Sequence, residues 1–382
     1  MKTDKRVVHM TTVHHPYDPR IYHKQCKSLQ NAGFDVTLVA RRDPKQNEED
    51  KTIPHIKLKT YKSRLKRMIF GTYSAYRKAK TLKADVYTIH DPELLPVAWA
   101  LKNKNNVVIY DVHEDYVTSI LQKDYLNQTA KQLIAVGYKT MEKFFTKHMG
   151  ISLAEKYYQD TYPEGVTILN YPTVNETFIE HERIGEVENS VLYTGNVSYV
   201  RGALQHGRLP QIDPTLTVHF IGKCPSELAE EMGVEAGNHR GQLKIEGIDS
   251  FVEKEDIEKK YLERNWLAGI ALFPPTEHYM KKELTKFFEY MNAGLPIVCS
   301  NFPVWKAFVE KHKCGIAVDP TDNEAIKAAF DYLKGQPEEA RRMGENGKKA
   351  VQEELNWQTQ EQKMVHWYSA LMNVESYERS IK

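Results

Sequence analysis

The chain has 382 residues, 41% hydrophobic and 27% charged, with a formal net charge of +2. At about 150 residues per domain the length predicts two domains, and the composition excludes collagen-like, coiled-coil and wholly disordered chains. No run approaches the roughly 18 apolar residues of a membrane-spanning helix.

The first half alternates short β-rich runs with helical stretches. Residues 6–14 read as a buried strand, 21–31 as a helix stopped by Gly33, and 35–40 as a second strand. A helix over 64–83, a strand at 86–90, a helix at 94–102 and a strand at 107–112 follow. A long helix is expected at 121–147, then short strands at 149–153 and 166–169. Strands separated by helices indicate βαβ units and a parallel sheet covered on both faces. The polar stretch 170–190, with Pro172, breaks the pattern. Alternation then resumes with strands at 191–194, 217–221, 243–245, 267–273, 297–299 and 315–318, with helices such as 253–264 and 323–333 between them. Helical sequence closes the chain from 337 to about 377.

The opening residues MKTDKR lead into an apolar run interrupted by His9 and followed by no cleavage site, so no secretory signal is expected. Cys26, Cys224, Cys299 and Cys314 are scattered. They read as thiols of a reducing, cytoplasmic setting, with neither a zinc site nor a disulfide frame. Charge is divided unevenly: 28 Lys and Arg against 18 Asp and Glu over 1–170 (net +10), and 25 against 33 over 171–382 (net −8). Such a split suits two domains with different electrostatic partners.

In open parallel sheets ligands sit beyond the carboxyl ends of the strands. The most informative loop there opens TKFFEYMNAGLPIV (285–298), a short helix stopped by Gly294 and Pro296. Lys286 and Glu289 share one face. Lys286 lies in the first turn, where free N–H groups and the dipole favour a phosphate. Glu289, one turn deeper, can accept from two adjacent hydroxyls such as those of a ribose. On spacing alone a surface Lys–Glu pair is the better account; the neighbours Phe287, Phe288, Tyr290 and Ala293 predict a buried helix and favour the functional one.

The same segment resembles the nucleotide-sugar-binding helix of family 4 retaining glycosyltransferases, which have the GT-B fold of two Rossmann-like α/β domains facing each other across a cleft. The resemblance extends along the chain. DPRIYHKQCKSLQNAGFDVTLVA is similar to that family's first helix and second strand, and IHDPELLP and VIYDVHED to its third and fourth strand ends. ILNYP resembles the crossing into the second domain, YTGNVSYVRG its first phosphate loop, and NWQTQEQKMVHWYSAL the C-terminal helix that crosses back. It implies an acceptor domain at 1–170, a donor domain at 171–360 and a returning helix at 361–382.

By this resemblance Glu289 binds the donor ribose, Lys286 and Arg201 hold the diphosphate and stabilise its departure, and His113 is an active-site histidine near the sugar. Gly195 and Asn196 belong to the donor loop, with Asn196 where many members have arginine. Lys281 stands where the first glutamate of the family's Glu-x7-Glu pattern, a donor-sugar contact, is expected. The loop holding His14, His15, Asp18 and Arg20, together with Asp91, is expected on the acceptor side. Taken alone, Arg201 reads equally as a solvated turn residue, His113 as a strand-end histidine, and Asp111, Glu114 and Asp115 as an acidic helix start.

The expectation is a metal-independent transferase without a cofactor, moving a hexosyl or N-acetylhexosaminyl group from a UDP- or GDP-linked donor to a hydroxyl acceptor. Surface polysaccharide or glycolipid synthesis is the implied setting. The alternatives are a sugar-nucleotide binder without turnover and a nucleotide-sugar epimerase. His14 and His15 make no metal site without a third ligand. The basic, aromatic helix at 64–83 suits peripheral contact with anionic lipid or an anionic acceptor, or a solvated helix whose apolar stripe covers the sheet. Nucleic acid is not expected, because no binding module accompanies the charge. A dinucleotide enzyme lacks its G-x-G-x-x-G after the first strand.

Overall fold

The computed structural model describes residues 5–42, 52–113, 116–121, 127–181, 183 and 185–373. It divides into two compact units: residues up to Asn170 together with the segment from Trp357, and Tyr171–Asn356. The first unit holds β1 (Arg6–Met10), β2 (Asp35–Arg41), β3 (His55–Leu58), β4 (Val86–Ile89), β5 (Val107–Val112), β6 (Gly150–Leu153) and β7 (Val166–Thr167). They form one parallel sheet in the order β3-β2-β1-β4-β5-β6-β7. The second unit holds β8 (Glu188–Thr194), β9 (Thr217–Cys224), β10 (Leu243–Ile248), β11 (Trp266–Ala271), β12 (Ile297–Ser300) and β13 (Gly315–Val318). These pair in parallel as β10-β9-β8-β11-β12-β13. Each order reverses beside its first strand, the point at which open α/β sheets leave a crevice for ligands.

Apolar side chains alternate to both faces of the first sheet, so each face needs a helical layer. On one, Ala75 and Ala79 of Thr72–Leu82 and Leu95 and Ala98 of Leu95–Leu101 pack over Val8, Tyr87 and Tyr110. On the other, Ile21, Tyr22 and Leu29 meet Trp357, Met364 and Tyr368 of the last helix, Trp357–Asn373. That helix is tied down by polar contacts as well. Trp357 Nε1 donates to Ser28 Oγ (2.9 Å), and Tyr368 Oη and Thr88 Oγ1 are 2.7 Å apart.

Several elements differ from the sequence expectation. The first strand ends at Met10 because the following hydroxyl and amide groups turn aside to bind Asp91. Residues 19–26 form a π-helical turn, capped by Asp18, which accepts from Arg20 N (2.8 Å) and Ile21 N (3.0 Å). The strand His55–Leu58, too short to show in the pattern, pairs with β2. The expected helix 121–147 is Tyr116–Leu121 and Gln128–Thr146, the latter opened by the Asn127 side chain. The closing helix is two, Pro337–Glu353 and Trp357–Asn373. Asn356 ends the first by donating to the carbonyls of Val351 (2.8 Å) and Gln352 (2.9 Å). The return therefore starts at Trp357 and not at 361. Among the described residues no helix is long and apolar enough to cross a membrane, and the four cysteines are free and buried.

Candidate functional site

In the first unit the polar residues that interrupt β1, β4 and β5 converge beyond the strand ends. Asp111, fully buried in β5, is the hub. Arg20 grips it with two bonds, Nε to Oδ2 (3.1 Å) and a terminal guanidinium nitrogen to Oδ1 (2.7 Å). Gln25 donates to Oδ2 (2.8 Å) and Ser152 to Oδ1 (2.6 Å). His113 Nε2 contacts the same carboxylate. Burial pushes the Asp111 carboxyl up, but the Arg20 guanidinium and His113 outweigh it and hold its pKa well below the usual range.

Proton positions follow from the acceptor-only carboxylate. His113 Nε2–H points to Asp111. His90 Nδ1, 3.2 Å from Asp111 Oδ2, donates there too. His90 Nε2 then accepts from His9 Nδ1 at 2.9 Å. Burial lowers the pKa of both buried histidines, that of His90 to about 4, and keeps them neutral. His90, Asp111 and His113 bring three ligand-type atoms within 4.8 Å of one another, the one such group among the described residues. A guanidinium 2.7 Å from the carboxylate opposes a second cation there, so the cluster reads as an ion pair with its histidines.

His14 meets this cluster at a tilt, its ring 5.2 Å from that of His113. Its Nδ1 is 3.5 Å from Asp18 and its Nε2 3.4 Å from Asp91. His15 turns away to accept from Tyr17 N (3.2 Å). Two of the expected acceptor-side residues are buried. Arg20 is only 4% exposed and is committed to Asp111. Asp91 is fully buried and fixes the loop through Thr11 Oγ1 (3.0 Å), Thr12 N (2.6 Å) and Val13 N (3.3 Å). Both side chains are committed to other residues of this unit, Arg20 to Asp111 and Asp91 to Thr11–Val13. Glu114 and Asp115 lie outside the described residues.

In the second unit the loop after β8 and the helix Thr285–Asn292 form one cluster. Gly195 has φ +81°, and a Cβ there would stand 3.1 Å from Lys286 Nζ. The missing side chain leaves backbone and ammonium open to each other. Gly202, at φ +76°, lies so close to Leu272 that a Cβ would be 2.0 Å from its carbonyl oxygen. Lys286 is buried; its ammonium donates to the Thr194 carbonyl and sits 4.3 Å from the centre of the Tyr193 ring. Burial pulls its pKa down to about 8, the Glu289 charge opposing and the Arg201 charge assisting.

Arg201 Nε donates to Tyr279 Oη (3.0 Å), and its guanidinium reaches the Asn196 carbonyl at 3.5 Å. Glu289 Oε2 accepts from Tyr261 Oη (3.0 Å) and Thr194 Oγ1 (3.5 Å), leaving Oε1 for further hydroxyls. Lys286, Arg201, Glu289 and Gly195 thus come together. Asn196 contributes its carbonyl while its side chain is exposed. Lys281 does not join them: it is exposed on Glu277–Lys281 and pairs with Glu277 at 3.4 Å.

Reading by sequence missed Asp111 as a hub, and His9, His90, Tyr261 and Tyr279 as partners. A charged or imidazole side chain inside an otherwise apolar strand was the available signal for the first three. The tyrosines meet the site only through packing.

Residues 284–350 match the family described as "Glycosyl transferases group 1", and residues 20–152 match "Glycosyltransferase Family 4". No curated protein sequence matches the chain. Solved structures are similar over its whole length. A sucrose-phosphate synthase from Thermosynechococcus elongatus shares 18% identity at a TM-score of 0.71, covering 97% of this chain and 99% of its own. A glycosyltransferase from Rickettsia africae ESF-5 shares 13% at 0.72, with coverage of 97% and 99%. Anabaena HepE in complex with UDP shares 12% at 0.67, with coverage of 96% and 100%.

Proposed function

The chain is a family 4 glycosyltransferase with the GT-B fold, and from that premise we propose that it transfers a hexosyl or N-acetylhexosaminyl group, with retention, from a UDP- or GDP-linked donor to a hydroxyl acceptor. The observation that carries the donor assignment is the grouping of two cations, one carboxylate and a side-chain-free backbone turn at the carboxyl end of one sheet. Lys286 and Arg201 take the diphosphate, whose negative charge grows as the sugar leaves. Donors already in place stabilise that charge without reorganisation. Glu289 Oε1 takes the ribose hydroxyls. Because the cations are side chains, the transfer needs no metal ion and no cofactor.

In the first unit His113, oriented by Asp111, turns its other ring nitrogen, Nδ1, to a hydroxyl of the transferred sugar. His14, bridging Asp18 and Asp91, serves the acceptor side. That HepE was solved with UDP, and again with UDP and glucose, supports a uridine donor here. The exposed, paired Lys281 gives the donor sugar no carboxylate at that position. We assign the enzyme to the cytoplasm, on its free buried cysteines, and to surface polysaccharide or glycolipid synthesis.

The test is a thermal-shift screen with UDP, GDP and ADP, alone and sugar-linked, followed by release of nucleoside diphosphate in the presence of chelator. A specific ligand raises stability by mass action. One base should stand out and turnover should persist without metal. Stabilisation only when magnesium is added would overturn the side-chain-cation assignment. His113→Ala should retain nucleotide binding and lose transfer.

A further inference from the structure

The helical segment 64–82 carries two apolar stripes, and the fold uses one. Thr72, Ala75 and Ala79 turn inward, with Tyr76 and Leu82 packed beside them on the sheet. Four other large apolar side chains lie elsewhere. Leu65 is 66% exposed, Ile69 54%, Phe70 55% and Tyr73 60%. Positions 65, 69 and 73 repeat every four residues and so share one helical face. A contiguous group of this size on a water-facing helix marks an interaction surface.

Charge narrows the partner. Between residues 62 and 83 there are eight Lys and Arg and no Asp or Glu. Two copies of such a face would repel each other. A nucleic acid would find phosphate contacts but nothing for Leu65 and Ile69 to stack on. An anionic bilayer satisfies both features at once, headgroups meeting the cations and acyl chains the aliphatic side chains. Leu133 (70% exposed) and Val136 (64%) are further exposed apolar side chains on Gln128–Thr146, a helix of the same layer.

The patch is also wired to the loop that carries His14. Arg67 holds Glu93 with two bonds of 3.0 Å, Glu93 Oε1 accepts from Thr12 Oγ1 (2.5 Å), and Thr12 binds Asp91, the partner of His14. We propose that residues 64–73 seat their apolar side chains in the surface of an anionic bilayer, and that the acceptor hydroxyl reaches the His14 loop on a membrane-embedded carrier. The carrier half rests on the transferase reading above; the bilayer half does not.

Cosedimentation of the full chain with vesicles of pure phosphatidylcholine, and of phosphatidylcholine mixed with phosphatidylglycerol, tests the surface. Binding should appear on the anionic vesicles, weaken with salt, and fall more than about tenfold in the triple variant Leu65→Ser, Ile69→Ser, Phe70→Ser. Each replaced side chain is more than half exposed, though Phe70 also stacks on Tyr61, so the variant should lose a few degrees of Tm at most and remain folded. Equal binding to neutral vesicles, unchanged binding by the variant, or a concentration-dependent dimer that the variant abolishes would each overturn the bilayer assignment. For the carrier, labelled UDP-hexoses are incubated with the enzyme and native membranes. Label should enter the organic-extractable fraction; turnover that leaves all label water-soluble would refute it. Vesicle binding without any turnover would instead strike at the transferase reading alone.

Discussion

Lys286 makes two opposite demands on pH. Its ammonium is buried against the Tyr193 ring, and burial takes its pKa from 10.5 to about 8. At about 1.4 kcal/mol per unit, that shift is about 3 kcal/mol, and a group this deeply buried is little screened by solvent. The folded state prefers the neutral amine, whereas the unfolded chain keeps the proton up to its ordinary value. Between about pH 8 and 10.5 the unfolded state therefore binds more protons, and stability rises with pH. In Lys286→Met that increment is absent. Urea unfolding of both proteins from pH 7 to 10.5 should show the wild type gaining about 3 kcal/mol relative to the variant. Binding runs the other way. If the ammonium holds the diphosphate, affinity for the nucleoside diphosphate should fall about tenfold per unit above pH 8, and stay weak and flat in Lys286→Met. A wild-type-to-variant stability difference that does not change with pH would refute the buried, readily neutralised lysine. Affinity that holds level from pH 7 to 10 would refute its contact with phosphate.

Three further outcomes are expected. Glu289→Gln removes the charge that accepts hydroxyls, so calorimetry should find nucleoside-diphosphate affinity reduced about tenfold to a hundredfold, as for a charged hydrogen bond; unchanged affinity would take the ribose away from this residue. Arg20→Met leaves the Asp111 carboxylate buried and uncompensated, which should cost about 3–5 kcal/mol. Adding Asp111→Asn should restore much of that, and a double variant no more stable than the single would show that the ion pair is not the cause. Gly202→Ala sets a methyl group against the Leu272 carbonyl at φ +76° and should lose more than about 2 kcal/mol in denaturation. Gly335→Ala, where a Cβ meets nothing within 4 Å at the end of a helix, serves as the neutral reference.

The fold was legible because a parallel sheet buried on both faces leaves a local trace. Runs such as VVIYDV and WLAGIA are apolar on both faces and each is followed by helical periodicity. The helix proposed to hold the donor was legible for a similar reason, since Lys286, Glu289 and the stop at Gly294–Pro296 all lie within one short stretch. What sequence could not decide is which polar residue faces a ligand and which one faces another residue. Arg20 and Asp91 look like loop residues open to an acceptor. Only when β1, β4 and β5 are laid side by side does Arg20 find Asp111, 91 positions away, and Asp91 find the Thr11–Val13 backbone. The exposed face at 64–73 belongs with them. Periodicity announces an amphipathic helix, but the small Ala75 and Ala79 fill the space over the sheet and leave the large side chains outside. Element type and order follow from neighbours in the chain. The use made of a charge or an apolar face depends on what the sheet brings opposite it, and burial is settled there.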